Sequence, residues 1–315
     1  MDTNVRKAIT PAEKLAVTLR YLGSGCTFKD LHYSYKLGVS SIAMIVREVC
    51  SVIWNELVGV YMPTFTEQYW KDISTGFEKQ ANFPHCIGAV DGKHIRIIKP
   101  TGTGSQHYNY KKFFSIVLLA VVDSDYKFIY VDVGSFGKDS DSTIFKNSTL
   151  WTLLANNSLN IPQPSVLPNT DGNVPYLFVG DEAFSLSTNV LRPYGGRNLS
   201  QKKRIFNYRL SRARRYVECA FGILSNKWRI FHMNFSLNVT TDLAVDITKA
   251  CCVLHNYVRE KNGYKLQDTL TIEGFDEPLV TTNNNNRGGR MANDIRNTFA
   301  DYFYTVGAVA WQNDK

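Results

Sequence analysis

Two aspartates stand where apolar runs end. Asp91 closes the run in Ile87-Gly-Ala-Val-Asp-Gly-Lys-His-Ile-Arg-Ile-Ile98, and Asp181 follows Tyr176-Leu-Phe-Val-Gly180 directly. A third acidic residue, Glu218, borders the apolar stripe of a later helical segment formed by Val217, Phe221, Leu224 and Trp228. A carboxylate inside an apolar strand is costly to bury unless it is paired or holds a metal. Three hard oxygen ligands suit Mg²⁺ or Mn²⁺ rather than a softer ion. Two such ions about 4 Å apart activate a water or 3′-hydroxyl and stabilise the leaving oxygen at a phosphodiester. Asp91 and Glu218 also have plainer readings. Asp91-Gly92 has the composition of a tight turn between two short strands. Glu218 stands i+4 and i+3 from Arg214 and Arg215, the spacing of a surface helix ion pair.

The elements that would position these residues follow from periodicity. His94 and Arg96 alternate with Ile95 and Ile97, the period of a strand over Ile87–Ile98. Phe113–Asp123 is nearly all apolar, as expected of a strand covered on both faces. After a turn at Ser124-Asp125, Lys127–Val133 alternates back. Ser140 or Asp141 caps a helix reaching about Leu154, and Tyr176–Gly180 is a fourth strand. A basic loop follows, and then a long helix over about Asn207–Ile230. A meander, a helix, a fourth strand and later helices are the elements of an α/β ribonuclease-H-like fold, in which the fourth strand lies parallel to the first. Asp91 and Asp181 then become neighbours, with Glu218 packed over them. Asp141 is read as a helix cap, with a fourth acidic position as the alternative; Glu182 faces away from Asp181 along the strand.

Upstream, Thr10-Pro-Ala-Glu13 and Thr27-Phe-Lys-Asp30 are helix starts with capping-box spacing. A third helix begins near Ser40-Ser41, after Gly38, with Ile42, Ile45, Val46, Val49 and Ile53 on one face. This spacing is that of a helix-turn-helix or of a small bundle packed on the main domain. The expected organisation is a helix-turn-helix-like α domain over 1–62, a linker and helix over 63–84, a catalytic domain over 85–262, and an extension over 263–315. Within the extension, 281–290 is low-complexity and expected to be mobile, and a last helix covers about Ala292–Tyr304.

The chain has 315 residues and a formal net charge of +8. Much of the positive charge lies in the block Arg197, Lys202, Lys203, Arg204, Arg209, Arg212, Arg214 and Arg215, which contains no acidic residue. Such a block favours phosphate contacts over an ordinary solvated helix face. Lys93, His94 and His107 add candidate phosphate contacts near the acidic residues. The six cysteines show no CxxC pair and lie mostly in apolar segments, so they read as reduced core residues. No apolar run approaches the roughly 20 residues of a bilayer span, and no membrane partner is expected. There is no Walker loop, dinucleotide fingerprint or nucleophile elbow.

Three motifs, taken together, resemble a known family. Gly88-Ala-Val-Asp-Gly-Lys-His-Ile95, Val179-Gly-Asp-Glu-Ala-Phe184 and Arg214-Arg-Tyr-Val-Glu-Cys-Ala-Phe-Gly222 are similar to the acidic motifs of PIF/Harbinger transposases and of the nucleases derived from them. The resemblance implies a DDE-type, divalent-metal-dependent domain that cuts and joins DNA, with Asp91, Asp181 and Glu218 at its three acidic positions. It also implies a Myb/SANT-like DNA-binding partner; Lys202-Lys-Arg204 has the composition of part of a nuclear import signal, and a nuclear protein, with the cytoplasm as a second compartment, is expected. A homo-oligomer is compatible with it, and a domesticated DNA- or chromatin-binding protein without turnover is the alternative.

Overall fold

In the computed structural model, residues 8–232, 235–263 and 288–314 are described. Chain order begins with four helices: α1 Pro11–Ser24, α2 Phe28–Tyr35, α3 Val39–Tyr61 and α4 Glu67–Ala81. The first two start on full capping boxes. The Thr10 hydroxyl accepts from the Glu13 amide while the Glu13 carboxylate accepts from the Thr10 amide, and Thr27 and Asp30 repeat the arrangement. The axes of α2 and α3 differ by 104°. No single helix among the described residues is long and apolar enough to cross a membrane.

The sheet follows. β1 Cys86–Arg96, β2 Ser115–Val122 and β3 Phe128–Phe136 form an antiparallel meander. All eight residues of β2 are buried, which explains its unbroken apolar sequence. Asp91-Gly92 is no turn: β1 runs straight through it, with Asp91 opposite Ala120 and Gly92 opposite Leu119. Two short helices come next, α5 Asp141–Asn147 and α6 Thr149–Ala155. The expected single helix breaks because the Ser148 hydroxyl accepts from the Trp151 amide and so starts a new helix. A small hairpin, β4 Ser165–Val166 with β5 Asn173–Val174, precedes β6 Leu177–Val179 and β7 Val190–Leu191.

The five-stranded order is β3-β2-β1-β6-β7, with β6 parallel to β1 and β7 parallel to β6. This mixed sheet with flanking helices is consistent with the ribonuclease-H-like arrangement. α7, Gln201–Lys227, starts earlier than expected. Ser200 has the extended backbone of an N-cap and no breaker follows it, so Lys202, Lys203 and Arg204 are helical rather than part of a loop. α7 and α4 lie against β1. α8, Thr241–Asn262, lies against β3 and carries α3, and α9, Arg290–Tyr304, packs on α7. Of the low-complexity 281–290 stretch, 281–287 fall outside the described residues, while Arg290 opens α9.

One buried side chain joins the helical layers to the sheet. Asn256 on α8 accepts from the Phe128 amide at 2.9 Å and donates to the carbonyls of Phe128 (2.7 Å) and Tyr61 (2.9 Å). It completes the end of β3 and ties down the last turn of α3. Asn256→Ala leaves three buried backbone groups without partners, so it should cost about 3 kcal/mol. Urea unfolding checks this; a loss below about 1 kcal/mol would mean that water replaces the amide.

Candidate metal centre

Strand register brings together two motifs that lie far apart in sequence. Ala89 pairs with Val179 across parallel β1 and β6. Asp91 and Asp181 each follow two residues later, so they emerge at the same level on adjacent strands. The Asp181 carboxylate accepts from the Ala183 amide at 2.8 Å, and Asp91 accepts from the Gly92 amide at 2.8 Å. Both oxygens are therefore fixed by local backbone.

The third member is Asp141. Ligand oxygens of Asp91, Asp141 and Asp181 lie within 4.8 Å of one another, all on half-buried residues. Asp141 does not cap α5; the Ser140 hydroxyl does, accepting from the Thr143 amide. Asp141 occupies the first helical position instead and reaches across Gly92. A Cβ on Gly92 would stand 2.1 Å from the Asp141 Oδ1, so any larger residue would push this carboxylate away. A 2.8 Å contact between the Ser142 and Ser185 hydroxyls fastens α5 to the loop after Asp181.

Glu218 is engaged elsewhere. Its carboxylate meets Arg214 Nη1 at 2.7 Å, one turn back along α7. Arg214 also acts on the cluster, where burial raises Asp91 and Asp181 and the Arg214 charge partly opposes that rise. It thus stands electrostatically between Glu218 and the two strand-end aspartates. Asp91 and Asp181 converge as the sequence suggests, Asp141 joins them, and Glu218 is held through Arg214.

The cluster is electrostatically unsatisfied by its own charges. Burial, followed by the charges of Asp181 and Asp141, holds Asp91 well above the usual carboxylate range. Burial also raises Asp181, against the pull of the Ala183 amide and Arg214. Asp141 is pushed up to about 6 by burial and by Asp181, with Lys111 opposing. Hard, mutually repelling oxygens at this spacing fit a divalent cation such as Mg²⁺ or Mn²⁺, which would compete with protons for them.

The basic residues divide into distinct settings. Lys93 and His94 line a cavity beside the cluster. The His94 ring, pushed down to about 4 by burial, is neutral near pH 7 and meets the Ser115 hydroxyl at 2.9 Å. His107 is buried against the Ser115 carbonyl. Along α7, Lys202 pairs with Asp301 at 2.6 Å, Lys203 lies over Tyr194, and Arg212 stacks on Trp311. Arg204 and Arg215 are exposed. Arg209, within the same basic block, is a buried clamp: it donates to the carbonyls of Asn82 and Gly307 and to Gln312. Lys111, in the loop before β2, lines the same cavity and acts on Asp141; the Lys111-Lys112 pair is the signal for it in the sequence.

Residues 90–256, just over half of the chain, match the DDE superfamily endonuclease family. The chain belongs to that family. It is 29% identical over 268 residues to the ALP1-like protein of Arabidopsis thaliana, covering 84% of this chain and 64% of that protein. It is 23% identical over 255 residues to HARBI1 of Rattus norvegicus, whose name marks it as a candidate nuclease, covering 81% and 69%. Both relatives are Harbinger transposase-derived proteins, so the resemblance carried by the three acidic motifs holds. The chain spans just under two thirds of the ALP1-like protein's length. No solved structure matches it. The matched region contains Asp91, Asp141, Asp181 and Glu218.

Metal binding has a stability signature whose sign follows from the raised pKa values. Without metal, the folded state holds the Asp141 proton up to about pH 6, whereas an unfolded aspartate releases it near about 3.9. This contribution to stability is complete below the lower value and is lost as pH rises through the upper one. Asp123, a buried turn carboxyl pushed up to about 7, adds to the same slope. The difference between wild type and Asp141→Asn therefore isolates the cluster. A bound cation should reverse the loss by about 2.7 kcal/mol at a hundredfold excess over its Kd. Melting curves should show Mn²⁺ stabilising wild type near about pH 8 and little near about pH 4.5, where protons compete for the same oxygens. Equal stabilisation at both pH values, or an undiminished effect in Asp141→Asn, would contradict the assignment.

Proposed function

We propose that the protein is a divalent-metal-dependent DNA endonuclease of the transposase type, hydrolysing phosphodiester bonds and transferring strands. The observation that carries the reading is the convergence of Asp91, Asp141 and Asp181 in a chain of the DDE superfamily endonuclease family. In this reading the three aspartates hold Mg²⁺ or Mn²⁺. Bound there, the metal supplies an activated water or 3′-hydroxyl and neutralises the leaving oxygen. The chain's own cations do the rest. Lys93 and Lys111 beside the cluster balance the incoming phosphate, and exposed Arg204 and Arg215 on α7 extend the contact along the backbone. Arg214 is well placed to exchange Glu218 for a phosphate, which would release Glu218 toward the metal as a further ligand.

The α2–α3 pair is a helix-turn-helix-like unit in the same reading, supported by the 104° between its axes and by exposed Ser40 at the start of α3. Arg47, a candidate base contact, donates to the Thr240 hydroxyl at 3.1 Å, so this unit has little to read sequence with. In this reading a separate Myb/SANT-like protein supplies the targeting that this unit lacks, and the protein acts on DNA in the nucleus. A second reading, a domesticated DNA- or chromatin-binding protein without turnover, is favoured by the closed Arg214–Glu218 pair.

A nicking assay and a melting curve on the same preparation separate them. Asp181→Asn should abolish Mn²⁺-dependent nicking while leaving the melting temperature without metal unchanged or higher, because one of three repelling charges is gone. Unchanged nicking in Asp181→Asn would overturn the catalytic role. A folded wild type that binds DNA but cuts none with Mg²⁺ or Mn²⁺, with or without a Myb-like partner, would support the binding protein.

A further inference from the structure

A cavity of about 270 Å³ opens directly beside the aspartate cluster, with Gly92 and Asp141 forming part of its wall. The rest of the wall combines two chemistries. Tyr110 and Phe235, at 78% and 48% exposed, present large aromatic rings, and Phe113 and Phe221 lie among the lining residues. Lys93 and Lys111 bring ammonium groups to the same space, lying 5.7 Å from the Phe221 ring centre and 5.5 Å from that of Tyr110. Among the described residues neither lysine is in an ion pair with a carboxylate. The His94 ring stands edge-on to Tyr110, at 5.6 Å and 68°, and offers a polar rim to the aromatic wall.

An exposed tyrosine and phenylalanine beside a hollow leave apolar ring surface in water, and two lysines outside any close ion pair are able to take an anion. The ligand that satisfies both is one with a flat π face and a phosphate. The hollow is far too small for a duplex, but it has the size for one base with part of its sugar. We propose that this cavity receives a single extrahelical nucleotide of the DNA, its base stacked on Tyr110 and Phe235 and its phosphate held by Lys93 and Lys111. The inference rests on the DNA-cleaving reading above and extends it. A nucleotide drawn out of the stack next to the cluster presents its own backbone to Asp91, Asp141 and Asp181, which a continuous duplex surface would not do as closely. Unstacking is least costly at an unpaired position, so such a pocket prefers DNA that is already locally open.

The test uses the full chain without divalent metal, so that no DNA is cut, and two duplexes of equal length: one fully paired, one carrying a single unpaired nucleotide. Wild type should bind the second about tenfold more tightly, within the range of one base–aromatic stack. Tyr110→Ala combined with Phe235→Ala should bring the two affinities level, and the exposure of both side chains leaves the fold little to lose. Arg204→Ala, on the outer face of α7, should weaken both duplexes equally. Equal wild-type affinities, or a preference that survives the double substitution, would overturn the pocket while leaving DNA binding intact. Failure of the wild type to bind either duplex would overturn the DNA reading itself, and the pocket with it.

Discussion

Repulsion among three half-buried carboxylates is the constraint around which this molecule is arranged. With ligand oxygens inside 4.8 Å, each charge among Asp91, Asp141 and Asp181 makes the others costlier, a cost that a bound cation would remove. The scaffold nonetheless forces them together. Parallel pairing of β1 and β6 sets two of them level, and bonds from the Gly92 and Ala183 amides fix their oxygens. The missing side chain at Gly92 leaves the gap through which the third arrives from α5. A fold that spends stability on such proximity is consistent with a site whose purpose lies in binding a divalent ion.

Around the cluster, α7 has two roles that its basic sequence does not distinguish. Arg209 serves the core, bridging α7 to the end of α4 and to the C-terminal segment through carbonyl contacts and the faces of Phe303 and Trp311. One turn and a residue further on, Arg214 couples Glu218 to the strand-end aspartates. A guanidinium at that point balances part of the negative charge while keeping Glu218 at hand. Its attraction for phosphate is the same attraction that now holds it to carboxylates, which makes it a natural exchange point when DNA arrives.

Much of this was legible in the residues themselves. The meander and the strand ending at Asp181 show through alternation and unbroken apolar runs. The helix starts at Thr10 and Thr27 are legible because capping is local chemistry. Asp141 was harder to assign, because Ser140 and Asp141 both have capping side chains and only the backbone decides which one caps. Its approach across Gly92 is a contact between residues far apart in sequence, with no periodic trace. The early start of α7 was obscured by basic residues that suit both a loop and a helix. Within the basic block, charge alone does not separate buried Arg209 from exposed Arg204; only the tertiary contacts of α7 with α9 and the C-terminal segment do so.

The central claim is that these aspartates form one metal centre, and locating the ion tests it most directly. Crystals grown with Mn²⁺ should give an anomalous difference peak bounded by oxygens of Asp91, Asp141 and Asp181, at about 2.0–2.2 Å, as expected for a small divalent ion with oxygen ligands. In crystals of Asp91→Asn, the peak should weaken or vanish. No peak at saturating Mn²⁺, or one coordinated elsewhere with the three carboxylates left bare, would contradict the account.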